Sequence, residues 1–120
     1  MHNVWWENEC EGTIAAPMVN IEGTGYYLSG ICVIYSDNEG LCERSYSTIF
    51  ENNKSFCEWI NISPNKYLDP IKNENVSTGC VVNSRVNCED LSESTSPQCS
   101  QVPGCREVNV IYKKLNWLKL

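Results

Sequence analysis

The residues whose chemistry is most restricted by number and spacing are the eight cysteines of this 120-residue chain. No two are adjacent and no Cys-x-x-Cys pair occurs, although structural zinc sites and thioredoxin-like redox sites use such close pairs. An even number of dispersed cysteines in a small chain instead predicts four disulfides, and spacing alone leaves their pairing open. The predicted disulfide cysteines are Cys10, Cys32, Cys42, Cys57, Cys80, Cys88, Cys99 and Cys105.

The sequence offers few candidates for catalytic residues. The one histidine is His2, next to the start of the chain, so a mechanism that needs an internal histidine base or metal ligand is disfavoured. Fifteen acidic residues could supply a carboxylate pair for glycoside hydrolysis, but no spacing singles out such a pair. Disulfide-bonded cysteines leave no thiol nucleophile, and no glycine-rich phosphate loop occurs. We therefore predict a non-enzymatic protein with no catalytic residues, metal or cofactor.

Three N-glycosylation sequons agree with the oxidising compartment that disulfides imply. Asn53, Asn61 and Asn75 each begin an Asn-x-Ser motif, and Pro64 after the second motif lowers its use. The first residues lack the basic start and apolar stretch of a signal peptide, so we interpret the chain as a mature protein or an excised ectodomain. No apolar run approaches the roughly 20 residues that span a bilayer. These features predict a secreted or extracellular glycoprotein with no membrane span.

Charge is unevenly distributed within the formal net charge of −6. Residues 1–43 hold seven acidic residues and no Lys or Arg, whereas residues 105–120 carry a net charge of +3. One interpretation is an acidic face that attracts a basic protein partner, and the other is an ordinary solvated acidic surface. Nucleic acid is disfavoured as a partner because phosphate binding requires a basic footprint.

Strand-like patterns dominate the chain. Aromatic and β-branched residues, or a two-residue alternation, indicate half-buried strands. The segments with this pattern are residues 26–35, residues 45–50 and 55–62 as a hairpin, residues 80–88 as a short strand or a hairpin, and residues 108–113. The first of these is expected to end in a turn at residues 37–40, where Asp, Asn and Gly occur together.

Loop and helix signals complete the predicted fold. Residues 11–25, 63–78 and 89–104 have loop composition, with Gly, Pro, Ser and Asn enriched. Only two alanines occur, and only the end of the chain, with Leu115, Trp117 and Leu118, also fits a helix. The predicted fold is therefore a small, disulfide-rich, mainly β domain over residues 1–120. It is expected to have antiparallel strands and hairpins, long loops and little helix.

The adjacent pair Trp5 and Trp6 is the strongest local indication of a binding surface. Neighbours on a strand point to opposite faces, so both rings enter one core only if the strand is buried on both sides. Tryptophan is enriched among residues that dominate interface energetics. The predicted partner-binding residues are Trp5, Trp6, Glu7, Glu9 and Glu11. The alternative is that both rings pack against disulfides.

Three functions remain compatible with these observations. The preferred one is a secreted module that occupies a surface on another protein, as a ligand, antagonist or immune modulator does. The second is the extracellular domain of a larger receptor, adhesion or surface protein. The third is a protease inhibitor acting through residues 97–105, because flanking cysteines could hold that loop in a binding conformation. An ordinary tethered surface loop is the simpler interpretation of the same residues.

Overall fold

The protein was analysed as a computed structural model, which describes the backbone of residues 4–113 and the side chains of residues 7–110 except residue 52. The described chain is mainly β, with antiparallel sheets and little helix, which confirms the predicted fold class. Its strands are β1 (Val4–Gly12), β2 (Met18–Ile21), β3 (Thr24–Tyr27), β4 (Cys57–Asn61), β5 (Tyr67–Asp69), β6 (Glu74–Val76), β7 (Thr78–Val82) and β8 (Cys105–Lys113). Its helices are α1 (Gly30–Val33), α2 (Glu39–Arg44) and the 3-10 turns Glu51–Asn53, Cys88–Leu91 and Cys99–Gln101.

The central sheet has the strand order β2-β3-β7-β4, and β7 lies in its interior. Val81 packs on one face of β7, in an aliphatic cluster with Leu28 and Ile60. Cys80 and Val82 pack on the other face, in a core that contains all four disulfides. Because successive strand residues point to opposite faces, a strand covered on both sides is apolar at every position. This explains why the Cys-Val-Val run forms the most buried strand.

All eight cysteines are buried and paired, so the prediction of four disulfides is confirmed. Two bonds attach the helices to the central sheet, α1 to β4 and α2 to β7. The other two hold the ends of β1 and β8. Each such bond typically contributes about 2–4 kcal/mol, largely by restricting the unfolded chain. The pairs are Cys10–Cys99, Cys32–Cys57, Cys42–Cys80 and Cys88–Cys105.

β1 and β8 form a separate two-stranded antiparallel ribbon, paired without a break from Val4 opposite Lys113 to Gly12 opposite Cys105. We call these two strands the ribbon, and residues 13–104 the body. Gly12 and Gly104 lie where the ribbon meets the body, both at positive φ (120° and 89°). A Cβ at Gly12 would lie 2.2 Å from the Gly104 carbonyl oxygen, so the chain crossing there requires glycine.

The predicted strand over residues 26–35 is wrong beyond Tyr27, because Gly30–Val33 form α1. The Ser29 carbonyl accepts the N–H groups of Cys32 and Val33, and Cys32 is held inward by its disulfide. Tertiary contacts therefore override the β propensity of this aromatic and β-branched run. The expected turn at residues 37–40 instead opens α2, where the Asn38 side chain accepts the N–H of Leu41 (3.0 Å) and caps the helix.

The predicted hairpin between residues 45–50 and 55–62 is also wrong. Only its second arm is a strand, β4, and that strand pairs with β7. The two arms meet in a single bridge between Phe50 and Lys54. Residues 45–50 are instead held against the 94–97 segment, where the Thr48 hydroxyl oxygen accepts the N–H of Ser96 (3.2 Å). A nearby segment's polar groups thus replace the expected strand partner.

The remaining element predictions have mixed outcomes. The late strand at residues 108–113 is confirmed within β8, and residues 89–104 form a loop with only 3-10 turns. The loop predictions for residues 11–25 and 63–78 miss β2 and the β5–β6 hairpin. The strand expected at residues 80–88 ends at Val82. The suggested helix with Leu115, Trp117 and Leu118 lies outside the described residues.

Candidate protein interface

The five predicted partner-binding residues all lie on β1, the N-terminal strand of the ribbon. Strand alternation places positions 5, 7, 9 and 11 on one face and position 6 on the other. The structure therefore separates Trp6 from the other four. The side chains of Trp5 and Trp6 lie outside the described residues, so their role as interface anchors stays a prediction.

The cross-strand register of β8 completes the face that carries the glutamates. Glu7 lies opposite Val110, Glu9 opposite Val108, and Glu11 opposite Arg106. Directly opposed residues of an antiparallel pair share a face. We call this set the acidic face, and its described members are Glu7, Glu9, Glu11, Arg106, Val108 and Val110. Glu7 is exposed, whereas Glu9 and both valines are half-buried, so carboxylates and small apolar side chains lie side by side.

Part of the negative charge of β1 is neutralised by Arg106 of β8. The Arg106 guanidinium donates from Nη2 and Nε to Glu11 Oε1, at 2.6 and 3.0 Å. Both side chains are solvent-exposed, so this pair contributes only about 0–1 kcal/mol to stability. The pair occupies the carboxylate of the acidic face that lies nearest the body. The other two glutamates of this face, Glu7 and Glu9, lie opposite valines.

Arg106, Val108 and Val110 belong to the acidic face but are not among the partner-binding residues predicted from the sequence. The alternation of valines near the end of the chain predicts a strand there. It could not show which strand lies alongside, because the partners are far apart in sequence, as in Glu11 and Arg106. Their contribution to the acidic face follows only from the β1–β8 register.

The segment proposed as an inhibitory loop adopts a compact conformation. Cys99 is bonded to Cys10 and Cys105 to Cys88, so the two cysteines do not close a loop between them. Residues 99–101 form a 3-10 turn, and Val102 is 1% exposed. The segment has a buried side and a solvent-facing side: Pro97, Cys99, Val102 and Cys105 are buried, and the other five residues are exposed. The protease-inhibitor alternative stays a prediction.

A groove of about 430 Å³ lies between residues 48–54 and residues 85–94. Its ionisable lining has both signs, with Glu51, Asp90 and Glu93 beside Lys54 and Arg85. Mixed charge of this kind selects neither an anionic nor a cationic ligand. Within residues 4–113, no group of three or more His, Cys, Asp or Glu side chains is placed to hold a metal ion.

A buried polar cluster lies beneath β7, around Tyr67. Burial, followed by the nearby charge of Asp69, raises the pKa of Tyr67 to about 12. The Ser36 hydroxyl opposes this shift, but its oxygen accepts the N–H of Cys80 (3.0 Å). Among the described atoms, the buried Tyr67 hydroxyl has no hydrogen-bond partner. Asp69 accepts the N–H groups of Ile71 and Lys72, so its carboxylate has a structural role in a turn.

The sequon asparagines Asn53, Asn61 and Asn75 are all exposed. Each lies in the body, and the ribbon carries no sequon. No helix of the described chain is long and apolar enough to cross a membrane. The four disulfides are consistent with an extracellular protein. Glycan attachment itself stays a prediction.

The ribbon thus combines exposure, an acidic face and covalent attachment to a disulfide-rich body. Comparisons of the chain with protein families, with curated proteins and with solved structures find no match.

Proposed function

We propose that the protein is a secreted, non-enzymatic module that binds another protein through the acidic face of the ribbon. The observation that carries this proposal is the pairing of Glu7 with Val110 and of Glu9 with Val108 across the two strands of the ribbon, on one partly exposed face. A basic partner surface matches it, because Lys and Arg place their apolar stems on aliphatic side chains while their charged ends reach carboxylates. Such a module would act as a ligand, antagonist or immune modulator.

The attachment of the ribbon supports a binding role. An isolated two-stranded ribbon is marginally stable in water. Here the bonds Cys10–Cys99 and Cys88–Cys105 fix both strands to the body at one end. A surface held in its binding conformation loses less conformational entropy on association. The disulfides therefore favour affinity without contacting the partner.

Because the proposed binding surface is charged, we expect the affinity for a basic partner to fall as the salt concentration rises. Complementary charge mainly raises the association rate, and this effect weakens as ionic strength rises. The exposed sequons of the body agree with secretion and would place carbohydrate on the body, because the ribbon has none. An extracellular domain of a larger receptor, adhesion or surface protein would use the same surface. A precursor that continues into a membrane anchor would favour that alternative.

The test compares two charge reversals of equal size. E7K/E9K reverses the acidic face, and E39K/E43K reverses two exposed glutamates of α2 as the matched control. Oxidised wild type and both variants are screened by surface plasmon resonance against purified extracellular proteins. We expect one or more basic partners to bind wild type and control alike, and to bind E7K/E9K at least tenfold more weakly, or about 1.4 kcal/mol.

Two results would contradict the proposal. Equal affinity of all three proteins for every partner found would exclude the acidic face. Equal weakening by both variants would show a general effect of net charge instead of a local surface. For any partner found, W5A and W6A are also measured. We expect at least one to cost more than about 1 kcal/mol, the range of interface anchors.

A further inference from the structure

The outer edge of β8 pairs with no other strand of the described chain. β8 pairs with β1 along one edge only, in a two-stranded sheet. The N–H of Cys105 donates to the Val102 carbonyl in the body, not to β1, so this residue faces the outer edge. Alternation then places the backbone groups of Glu107 and Asn109, and of positions 111 and 113, on the same edge. An exposed strand edge of this kind is a template for another strand.

The sequence of β8 lacks the features that usually protect such an edge. It contains no proline, and its register with β1 continues without a bulge. Residues 108–112 are Val-Asn-Val-Ile-Tyr, a run with high β propensity and no charge. Natural proteins block exposed edges with charges, prolines or bulges. The middle of β8 has none of these.

The body covers part of both outer edges, that of β1 as far as Cys10, whose N–H donates to the Ser92 hydroxyl (3.0 Å), and that of β8 at its first residue, Cys105. The two edges differ in charge. β1 carries three glutamates, Glu7, Glu9 and Glu11. Two β1 strands placed side by side would bring these charges within about 5 Å, one strand spacing. β8 is therefore the edge suited to self-association.

We infer that two copies of the chain associate through antiparallel pairing of their β8 strands, centred on Val110. In this register Glu107 lies opposite Lys113 of the second copy, and Val108 opposite Tyr112. The Glu107–Lys113 match occurs twice because the arrangement is two-fold symmetric. The positions that face the outer edge, 107, 109, 111 and 113, pair with one another and would form about eight backbone hydrogen bonds.

Neighbouring registers lack this complementarity. Centring the pair on Asn109 places Glu107 opposite Ile111, and centring it on Ile111 moves Glu107 past the end of the strand. Charge therefore selects the register centred on Val110. The product is a four-stranded sheet in the order β1-β8-β8-β1, with the acidic faces of both copies on the same side.

Charge repulsion does not oppose this assembly. The two β1 strands would lie on the outside, three strand spacings or about 14 Å apart. That separation exceeds the Debye length of about 8 Å at physiological ionic strength, so the repulsion between their glutamates is screened. The centre of the shared face would hold Val108 and Val110 of both copies. The inference does not depend on the proposed function, because E7K/E9K changes neither β8 nor its edge.

The test is a charge exchange followed by sedimentation velocity across protein concentrations. E107K and K113E each create two like-charge pairs and should raise the dimer dissociation constant at least tenfold. The double variant E107K/K113E restores opposite charges and should return the constant to within about threefold of wild type. E43K in α2 is the matched control, with the same charge change away from β8, and should leave the constant unchanged.

A backbone variant tests the edge itself. The N–H of Asn109 faces outward, so N109P removes a donor from the proposed dimer without removing one from the β1 pairing. It should abolish dimerisation while the circular dichroism of the monomer is retained. A wild-type chain that stays monomeric up to about 1 mM would overturn the inference. So would a dimer insensitive to E107K, or a double variant that stays as weak as its parents, even if N109P failed to fold.

Discussion

Replacing Gly79 by alanine tests the packing of the buried Tyr67 hydroxyl beneath β7. A Cβ at position 79 would lie 1.9 Å from Tyr67 Oη, far inside van der Waals contact. The next neighbours, Ser36 Oγ and Tyr67 Cζ, would each lie at 3.2 Å, a tight distance that small shifts can accommodate. The hydroxyl oxygen alone therefore accounts for the severe contact. Removing it with Y67F should relieve most of the cost of G79A.

The expected free energies follow from these distances. Inserting a methyl group into a filled core costs about 1–3 kcal/mol, and the 1.9 Å contact places G79A near the upper end. Y67F alone should be neutral or stabilising by about 1 kcal/mol, because it removes a buried hydroxyl that lacks a partner. The double variant should be about 1–2 kcal/mol more stable than expected if the changes in unfolding free energy of the two single variants were additive.

The assay is urea unfolding of the four oxidised proteins at neutral pH, followed by circular dichroism without reductant. A G79A variant within about 0.5 kcal/mol of wild type would refute the packing described for Tyr67. Additive effects in the double variant would show that the hydroxyl is not the obstacle. A loss of more than about 1 kcal/mol in Y67F would mean that the hydroxyl makes a stabilising hydrogen bond.

Two further predictions concern pH and glycosylation. Burial raises the pKa of Tyr67 to about 12 in the folded protein, against about 10 in the unfolded chain. The stability linked to the neutral phenol is therefore fully present below pH 10 and is lost as the pH rises through 12. Wild type should therefore lose about 2 kcal/mol more stability than Y67F between pH 10 and pH 12, and parallel unfolding curves would contradict this. Secretion from eukaryotic cells should attach glycans at Asn53 and Asn75, with lower occupancy at Asn61 because Pro64 follows its sequon. Glycopeptide mass spectrometry measures each occupancy, and a secreted chain with all three sites unmodified would disprove the prediction.

Predictions based on local pattern were the ones that succeeded. The number and dispersion of cysteines predicted four disulfides, and two-residue alternation predicted β4 and the end of β8. These signals depend on residues within one element or on simple counting. The sequence could not select the disulfide pairing, because Cys10 and Cys99 are 89 residues apart and meet only after the body folds.

The failures come from tertiary contacts that outweigh local propensity. Residues 30–33 are apolar and include β-branched side chains, yet they form α1 because Cys32 must reach Cys57. The β5–β6 hairpin lies in an asparagine-rich stretch whose composition predicts a loop. Its turn is formed by Asp69, which accepts two backbone N–H groups, and by Asn73, which adopts a positive φ of 56°.

The sequence predicts the β1 part of the candidate site but not the β8 part. The glutamates and tryptophans of β1 were identified from sequence because they cluster in a few residues. The ion pair between Glu11 and Arg106, and the valines opposite Glu7 and Glu9, depend on a partner strand at the far end of the chain. Long-range strand pairing is the information that residue patterns do not contain.

The covalent connectivity of the ribbon has a mechanical consequence. Val4 and Lys113 lie opposite each other, so tension applied at these two positions would open the ribbon one residue pair at a time. The opening would stop at Cys10, where the bond to Cys99 carries the load directly into the segment that leads to β8. Before that point about 14 residues, at positions 4–10 and 107–113, could extend to roughly 50 Å. All of them belong to the ribbon, so the body would keep its shape while the ribbon opens.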